Sequence, residues 1–298
     1  MNFMQNQKRQ NYARLQRKDF VHCQRNMPRR KVLTLLSLIA ILTTQCSRYG
    51  YYMSPFQTVD HPYRAHLLNA DSADKATFVN VALSGAGYND DLTDGAWLLQ
   101  SSVYNTHKFG SFRGWYGGTL GLGQYDIADL HGYNAFGNTD PEFINAHAGT
   151  KFMGGIGAFG GLSVVQKIDE KSEWRALSVE TSYLKEFGAY LNFRNKLSDT
   201  TADAYYQHNY FLTMAFGTEF ATKTKRGEFG FKVNYTIDLN RMTGYFLRDG
   251  YYKVNPRLSS INFAFHWARY TRSYFMMMGG GPYSFNMQMG MNFRLGNL

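Results

Sequence analysis

The sequence predicts an all-β chain, an antiparallel transmembrane β-barrel of about ten strands, with eight as the alternative count. Three observations predict it. Polar and apolar residues alternate with a period of two over long stretches from about Ala76 onward, the mark of strands with two unlike faces. The connections between those stretches are short and long by turns. No apolar run reaches the roughly 20 residues that a membrane-spanning helix needs, the longest being the eleven from Val32 to Leu42.

The 298 residues carry 32 Lys and Arg against 22 Asp and Glu, a formal charge of +10. That excess sits at one end. Nine bases (Lys8, Arg9, Arg14, Arg17, Lys18, Arg25, Arg29, Arg30, Lys31) and one acid (Asp19) precede residue 46, which leaves 23 bases and 21 acids beyond it. A nucleic-acid-binding domain would concentrate basic charge on its fold, so nucleic acid is excluded as a partner. Charged residues make up 18% of the chain, below the roughly 25% of soluble domains.

Taken in order, residues 1–26 are polar and read as an extension upstream of a start at Met27. Residues 27–45 read as a signal peptide, with Arg29, Arg30 and Lys31 ahead of the apolar run. Cys46 stands where the signal should end. That position resembles the lipobox of bacterial lipoproteins, with Thr43 and Gln45 in the places usually held by Leu and a small residue. The resemblance implies acylation of Cys46 as the mature N-terminus; the alternative is ordinary cleavage nearby with Cys46 as an incidental thiol. With Cys23 in the leader, the exported part keeps one cysteine and forms no internal disulfide.

Residues 46–75 show no sustained period yet include Tyr49, Tyr51, Tyr52, Phe56 and Tyr63. A solvated tether is poorer in aromatics, so this periplasmic tether is expected to dock in part on the body or on a partner. Residues 76–298 form the barrel. Its expected strands are 76–88, 95–107, 110–125, 149–167, 172–190, 204–222, 228–239, 257–268, 273–278 and 284–295. The clearest is 228–239, where Phe229, Phe231, Val233, Tyr235, Ile237 and Leu239 alternate with Glu228, Gly230, Lys232, Asn234, Thr236 and Asp238. Strands of this length, tilted near 45°, can cross a bilayer.

Short connections at 108–110, 168–172 and 222–227 interleave with longer ones at 126–148, 191–203 and 240–256. Trp97, Trp115, Tyr125, Trp174, Tyr190 and Trp267 fall near strand ends, as interfacial girdles do. Over about residues 76–295 this architecture resembles the outer-membrane β-barrel proteins of Gram-negative bacteria. The triplets Asp71-Ser72-Ala73 and Asp199-Thr200-Thr201 resemble the O-glycosylation signal of exported Bacteroidetes proteins, so with Cys46 the chain is similar to a barrel lipoprotein of that group. The resemblance implies the cell outer membrane as location and membrane lipid as partner. The rival is a soluble lipocalin-like barrel or β-sandwich with its apolar face inward.

Several motifs take a plain reading. Gly155, Gly157 and Gly160 spell a dinucleotide fingerprint with Glu180 downstream, but Leu162 to Val165 continue as strand where the motif needs a helix. Met287, Met289 and Met291 share the spacing of a lipid-facing strand with Phe285 and Phe293, which leaves no convergent metal site. Asp90, Asp91 and Asp94 lack the ligand spacing of a calcium loop and read as solvated turn acids. None of the eight histidines is followed by Ser two positions on, and His208 with Asn209, inside a strand, is the nearest approach to the His–Ser pair of membrane-embedded lipid hydrolases. No cofactor or metal is expected.

By alternation Glu180, Glu219, Glu228, Lys232, Asp238 and Arg294 face the lumen together with His266. Buried charges persist only when paired or watered, so a network of these side chains is expected to plug a barrel that has little free lumen. The expected function is a non-enzymatic structural, binding or accessory subunit. Its protein partners would be outer-membrane or periplasmic proteins, reached through residues 47–75 and the long loops. The alternatives are a narrow channel and a lipid-modifying enzyme.

Overall fold

The structure is a computed structural model that describes residues 51–68, 71, 73–88, 93–130, 139–247, 251–254, 257–281 and 284–296. Residues 1–45, read from the sequence as an upstream extension and a signal peptide, and Cys46 lie outside the described residues. The elements in chain order are β1 (Tyr51–Tyr52), α1 (Phe56–Val59), β2 (Lys75–Tyr88), β3 (Asp94–Phe109), β4 (Phe112–Ile127), α2 (Pro141–Ala146), β5 (Gly149–Lys167) and β6 (Ser172–Phe187). There follow α3 (Ala189–Arg194), β7 (Ala204–Tyr205), β8 (Tyr210–Thr224), β9 (Gly227–Asp238), β10 (Thr243–Leu247), β11 (Tyr251–Val254), β12 (Ser259–Arg269), β13 (Arg272–Gly281) and β14 (Ser284–Gly296).

Ten of the strands, β2 to β6, β8, β9 and β12 to β14, form a closed barrel, each paired with its neighbours in chain order. Closure comes from β14 against β2, with Met289 opposite Leu83 and Met291 opposite Val81. All ten pairings are antiparallel. Closure leaves no unpaired edge, the condition for a sheet to stand in hydrocarbon. The fold is the ten-stranded antiparallel barrel that the alternation predicts.

Side-chain direction decides between membrane and soluble barrels. Leu83, Leu99, Val103, Ile156 and Phe265 point outward and are at least half exposed, whereas Asn80, Ser84, Asn286, Gln288 and Asn292 point inward and are fully buried. A soluble barrel would bury the first set. A wall that is apolar outside and polar inside fits lipid around it. Trp97, Trp174 and Trp267 lie on this outer wall as expected.

Three of the expected girdle residues do not. Trp115 is buried in the lumen, and Tyr125 and Tyr190 are buried together at the loop end, rings stacked 3.9 Å apart. Trp115 and Tyr116 are adjacent aromatics, so only one can face lipid, and Tyr116 takes that side. Tyr190 leaves the wall because β6 ends at Phe187: Gly188 has φ +119°, a conformation that side-chain-bearing residues rarely adopt, and α3 begins after it. The expected strand 204–222 divides into β7 and β8, with His208 and Asn209 exposed between them rather than inside a strand. The expected strand 273–278 is longer in the structure, where β13 runs on through the glycines to Gly281.

The two ends of the barrel differ. One end carries the tight turns at residues 110–111, 168–171, 225–226 and 270–271. The other carries the long connections, which include α2, α3 and a small sheet in the order β1-β7-β10-β11. Aromatic residues pack this loop end, among them Tyr52, Tyr88, Tyr125, Tyr190, Phe193 and Tyr206. Asp94 is buried there, accepting hydrogen bonds from the Tyr125 hydroxyl (2.9 Å) and the Ala128 amide (2.9 Å), so it is a structural acid and not a solvated one.

Candidate functional site in the barrel lumen

Residues 51–68, the aromatic-rich segment ahead of the barrel, run through the lumen, and every one of them is buried. The segment has little secondary structure of its own. Between β1 and β2 it forms only the four-residue α1, so its backbone groups look to the wall for partners. The carbonyl of Val59 accepts from Gln100 Nε2 (3.2 Å) and Gln288 Nε2 (3.1 Å). The carbonyl of Tyr63 accepts from Asn80 Nδ2 (3.2 Å), that of Ala65 from the Tyr104 hydroxyl (3.1 Å), and that of Leu67 from Arg113 Nε (3.1 Å). These inward amides and hydroxyls replace the water that an open lumen would supply.

The wall makes room where the segment is widest. Phe56 lies against Gly121 on β4 and Gly155 on β5; a Cβ added to Gly121 would stand 2.5 Å from the ring, and one on Gly155 3.0 Å. The glycine-rich stretch that superficially matches a nucleotide fingerprint is therefore part of the bed for Phe56, and β5 continues to Lys167 with no helix after it.

Charged groups hold the segment at two centres. At the first, Glu180 accepts from Arg64, from His61 Nδ1 and from the Trp115 indole (2.5 Å). His61 Nε2 meets Thr213 Oγ1 at 2.8 Å, and the Thr213 hydroxyl donates to Asp60 at 2.8 Å. The Arg64 guanidinium also lies 3.6 Å over the Phe159 ring. At the second centre, Glu219 pairs with Arg175 (2.7 Å), lies 3.2 Å from His266 Nε2 and accepts from the Tyr63 hydroxyl (3.2 Å). Tyr63 stacks on His266, centroids 4.4 Å apart. Arg175 extends the centre to Glu173 at 2.9 Å.

The seven inward groups read from the sequence fall into separate places. Glu180 anchors the first centre, and Glu219 with His266 the second. Lys232 is buried directly across the strand pair from Glu219. Asp238 lies nearer the loop end, accepting from Gln57 Nε2 and from the Asn240 amide (2.9 Å). Glu228 and Arg294 line a vestibule of about 340 Å³ at the turn end, beside Arg269 and Arg272. Sequence reasoning missed His61, Tyr63 and Arg64, which supply the partners, as well as the wall residues Arg113, Glu173 and Arg175. It placed the first three in a tether with no period to show a facing surface. The lumen is filled by main chain as well as by side chains.

Fold and lumen together define a transmembrane β-barrel of the outer-membrane class, threaded by its own N-terminal segment. No family model matches the chain, and no curated protein does. Among solved structures, the chain is similar to the translocator domain of the autotransporter NalP from Neisseria meningitidis, with 9% identity, 76% of this chain and 91% of that one covered, and a TM-score of 0.31. It is also similar to the β domain of the Bordetella autotransporter BrkA, with 8% identity, 75% and 100% coverage and a TM-score of 0.36. A third likeness is to the outer membrane protein OprG of Pseudomonas aeruginosa, with 9% identity, 74% and 97% coverage and a TM-score of 0.33. Likeness at this level concerns the barrel alone.

Proposed function

We propose that the protein is a non-enzymatic, non-conducting outer-membrane barrel that serves as a structural, binding or accessory subunit. We further propose that residues 27–45 direct its export and that it is a lipoprotein of Bacteroidetes type, acylated on Cys46. One observation carries the closed-lumen reading: residues 51–68 are buried throughout and hydrogen-bonded to the wall from Val59 to Leu67. A solute path would require this segment to leave, breaking two buried charged centres at a cost of several kcal/mol for each broken pair. Because residues 51–68 have no exposed face, protein partners fall to the long loops and to the residues flanking the segment.

Recording from planar bilayers tests the reading. The purified full chain should give no large, stable conductance. Porin-like steps would overturn the closed lumen and favour a channel. Mass spectrometry tests the leader, since an unmodified N-terminus at a residue other than Cys46 would remove the lipoprotein.

A further inference from the structure

The segment that fills the lumen also has a direction. Tyr51 and Tyr52 pair in parallel with Ala204 and Tyr205 in the loop-end sheet, and the Tyr190 hydroxyl of α3 donates to the Met53 carbonyl at 2.8 Å. Phe56 then reaches mid-wall at Gly121 and Gly155. Arg64 follows at Glu180 and Leu67 at Arg113, one residue inside the Phe109–Phe112 turn. Asp71 is already at the turn end, its carbonyl accepting from Lys108 Nζ (2.6 Å) and its carboxylate paired with Lys223 (3.2 Å). β2 starts at the same end, where Lys75 lies opposite His107. Between Tyr51 and Lys75 the described residues run from the loop end to the turn end, ahead of the first wall strand.

This order fixes the side on which the preceding residues stand. In outer-membrane barrels the short turns face the periplasm and the long loops face outward. We infer that the barrel delivers its own N-terminal flank, the residues immediately upstream of Tyr51, to the cell surface. For the lipid, the inference rests on acylation of Cys46. Four residues separate Cys46 from Tyr51, five Cα–Cα steps with a reach of at most about 18 Å when fully extended. The hydrocarbon band of such a barrel is about 25 Å tall, and the lumen is occupied by the chain itself. From the loop end, Cys46 therefore cannot reach the periplasmic leaflet, and acyl chains on it would enter the outer leaflet. The protein then works as a surface anchor: wall and lipid hold one face, and the flank is carried through to it.

The burial of the segment makes this topology permanent in the folded state. Arg64 and Glu180 are 1% and 6% exposed, and pulling the segment back would separate them inside the barrel.

The test uses the full chain with its native leader, expressed in an outer membrane. Arg48→Cys places a thiol just upstream of Tyr51, and Lys225→Cys places one in a turn. A membrane-impermeant maleimide, its site read by peptide mapping so that Cys46 is told apart, should label the introduced thiol of Arg48→Cys in intact cells as fully as in permeabilised ones, and that of Lys225→Cys only after permeabilisation. Labelling of Lys225→Cys and not Arg48→Cys in intact cells would overturn the display by reversing the barrel. Shielding of both thiols until permeabilisation would overturn it too while leaving the barrel intact. An epitope inserted after Arg48, read with antibody on intact cells, gives the same decision if the cysteine variant fails to assemble. Bilayer recordings on the same preparations separate this result from failure of the closed lumen, since a surface-labelled barrel that conducts keeps the display and loses the plug.

Discussion

Arg64, from the threaded segment, forms an ion pair with Glu180 of the barrel wall, and both side chains are almost wholly removed from solvent. A carboxylate buried in this way is tolerated because Arg64, His61 and Trp115 all donate to it. Arg64→Met keeps the volume and removes the charge, so it should destabilise the barrel by about 3 to 5 kcal/mol. Arg64→Met combined with Glu180→Gln should recover part of that loss, because Gln still accepts from Trp115 and carries no unpaired charge. Urea unfolding in lipid vesicles, followed by tryptophan fluorescence, reads both. Equal stability of Arg64→Met and the unaltered protein would mean that the pair does not hold the segment.

Removing residues 55–67 takes out the segment while leaving the ten wall strands and their ladder untouched. The variant should give conductance steps in planar bilayers where the full chain is silent. If it is also silent, the wall side chains alone close the lumen, and the segment serves only to carry the flank outward.

The barrel was legible because lipid outside and polar groups inside impose a period of two on every wall strand, and β9 keeps it from Phe229 to Asp238 without a break. The long loops hid more. β7, β10 and β11 are short strands that pair only within the small loop-end sheet, and nothing in their alternation separates them from connecting chain. The lumen was legible by half. Glu180, Glu219 and His266 announce themselves by parity, but His61, Tyr63 and Arg64 belong to a stretch whose contacts are made by irregular backbone, which leaves no pattern along the chain. Its aromatic content was the one available signal, and it pointed to docking without saying where.

On β9, Val233 faces outward and Asn234 inward, with Asn234 4% exposed. A spin label at Val233 should be relaxed by oxygen dissolved in lipid, and one at Asn234 should be shielded. Val233→Arg should cost about 2 to 4 kcal/mol by putting charge into hydrocarbon, and Lys232→Gln should cost less because a long polar side chain stays in the lumen. Relaxation of the Asn234 label and not the Val233 label would invert the barrel wall.

The position of Phe56 offers the sharpest check on the threading itself. Its ring stands where a side chain on Gly121 would project, and the next nearest group to that added Cβ is Gln100 Cγ at 3.6 Å, an ordinary contact. Gly121→Ala should therefore overpack the site and cost about 1 to 3 kcal/mol. Phe56→Ala should cost about 3 to 5 kcal/mol by emptying it. The two effects are not independent, because the ring is the group that the new methyl strikes. In the Phe56→Ala background, Gly121→Ala should lose most of its cost, giving a coupling of roughly 1 kcal/mol or more in a double-mutant cycle. Urea unfolding of the four proteins in vesicles measures it. A cost for Gly121→Ala that is the same with and without the Phe56 ring would mean that the ring does not lie on β4, and the segment would then have to take another path than the lumen.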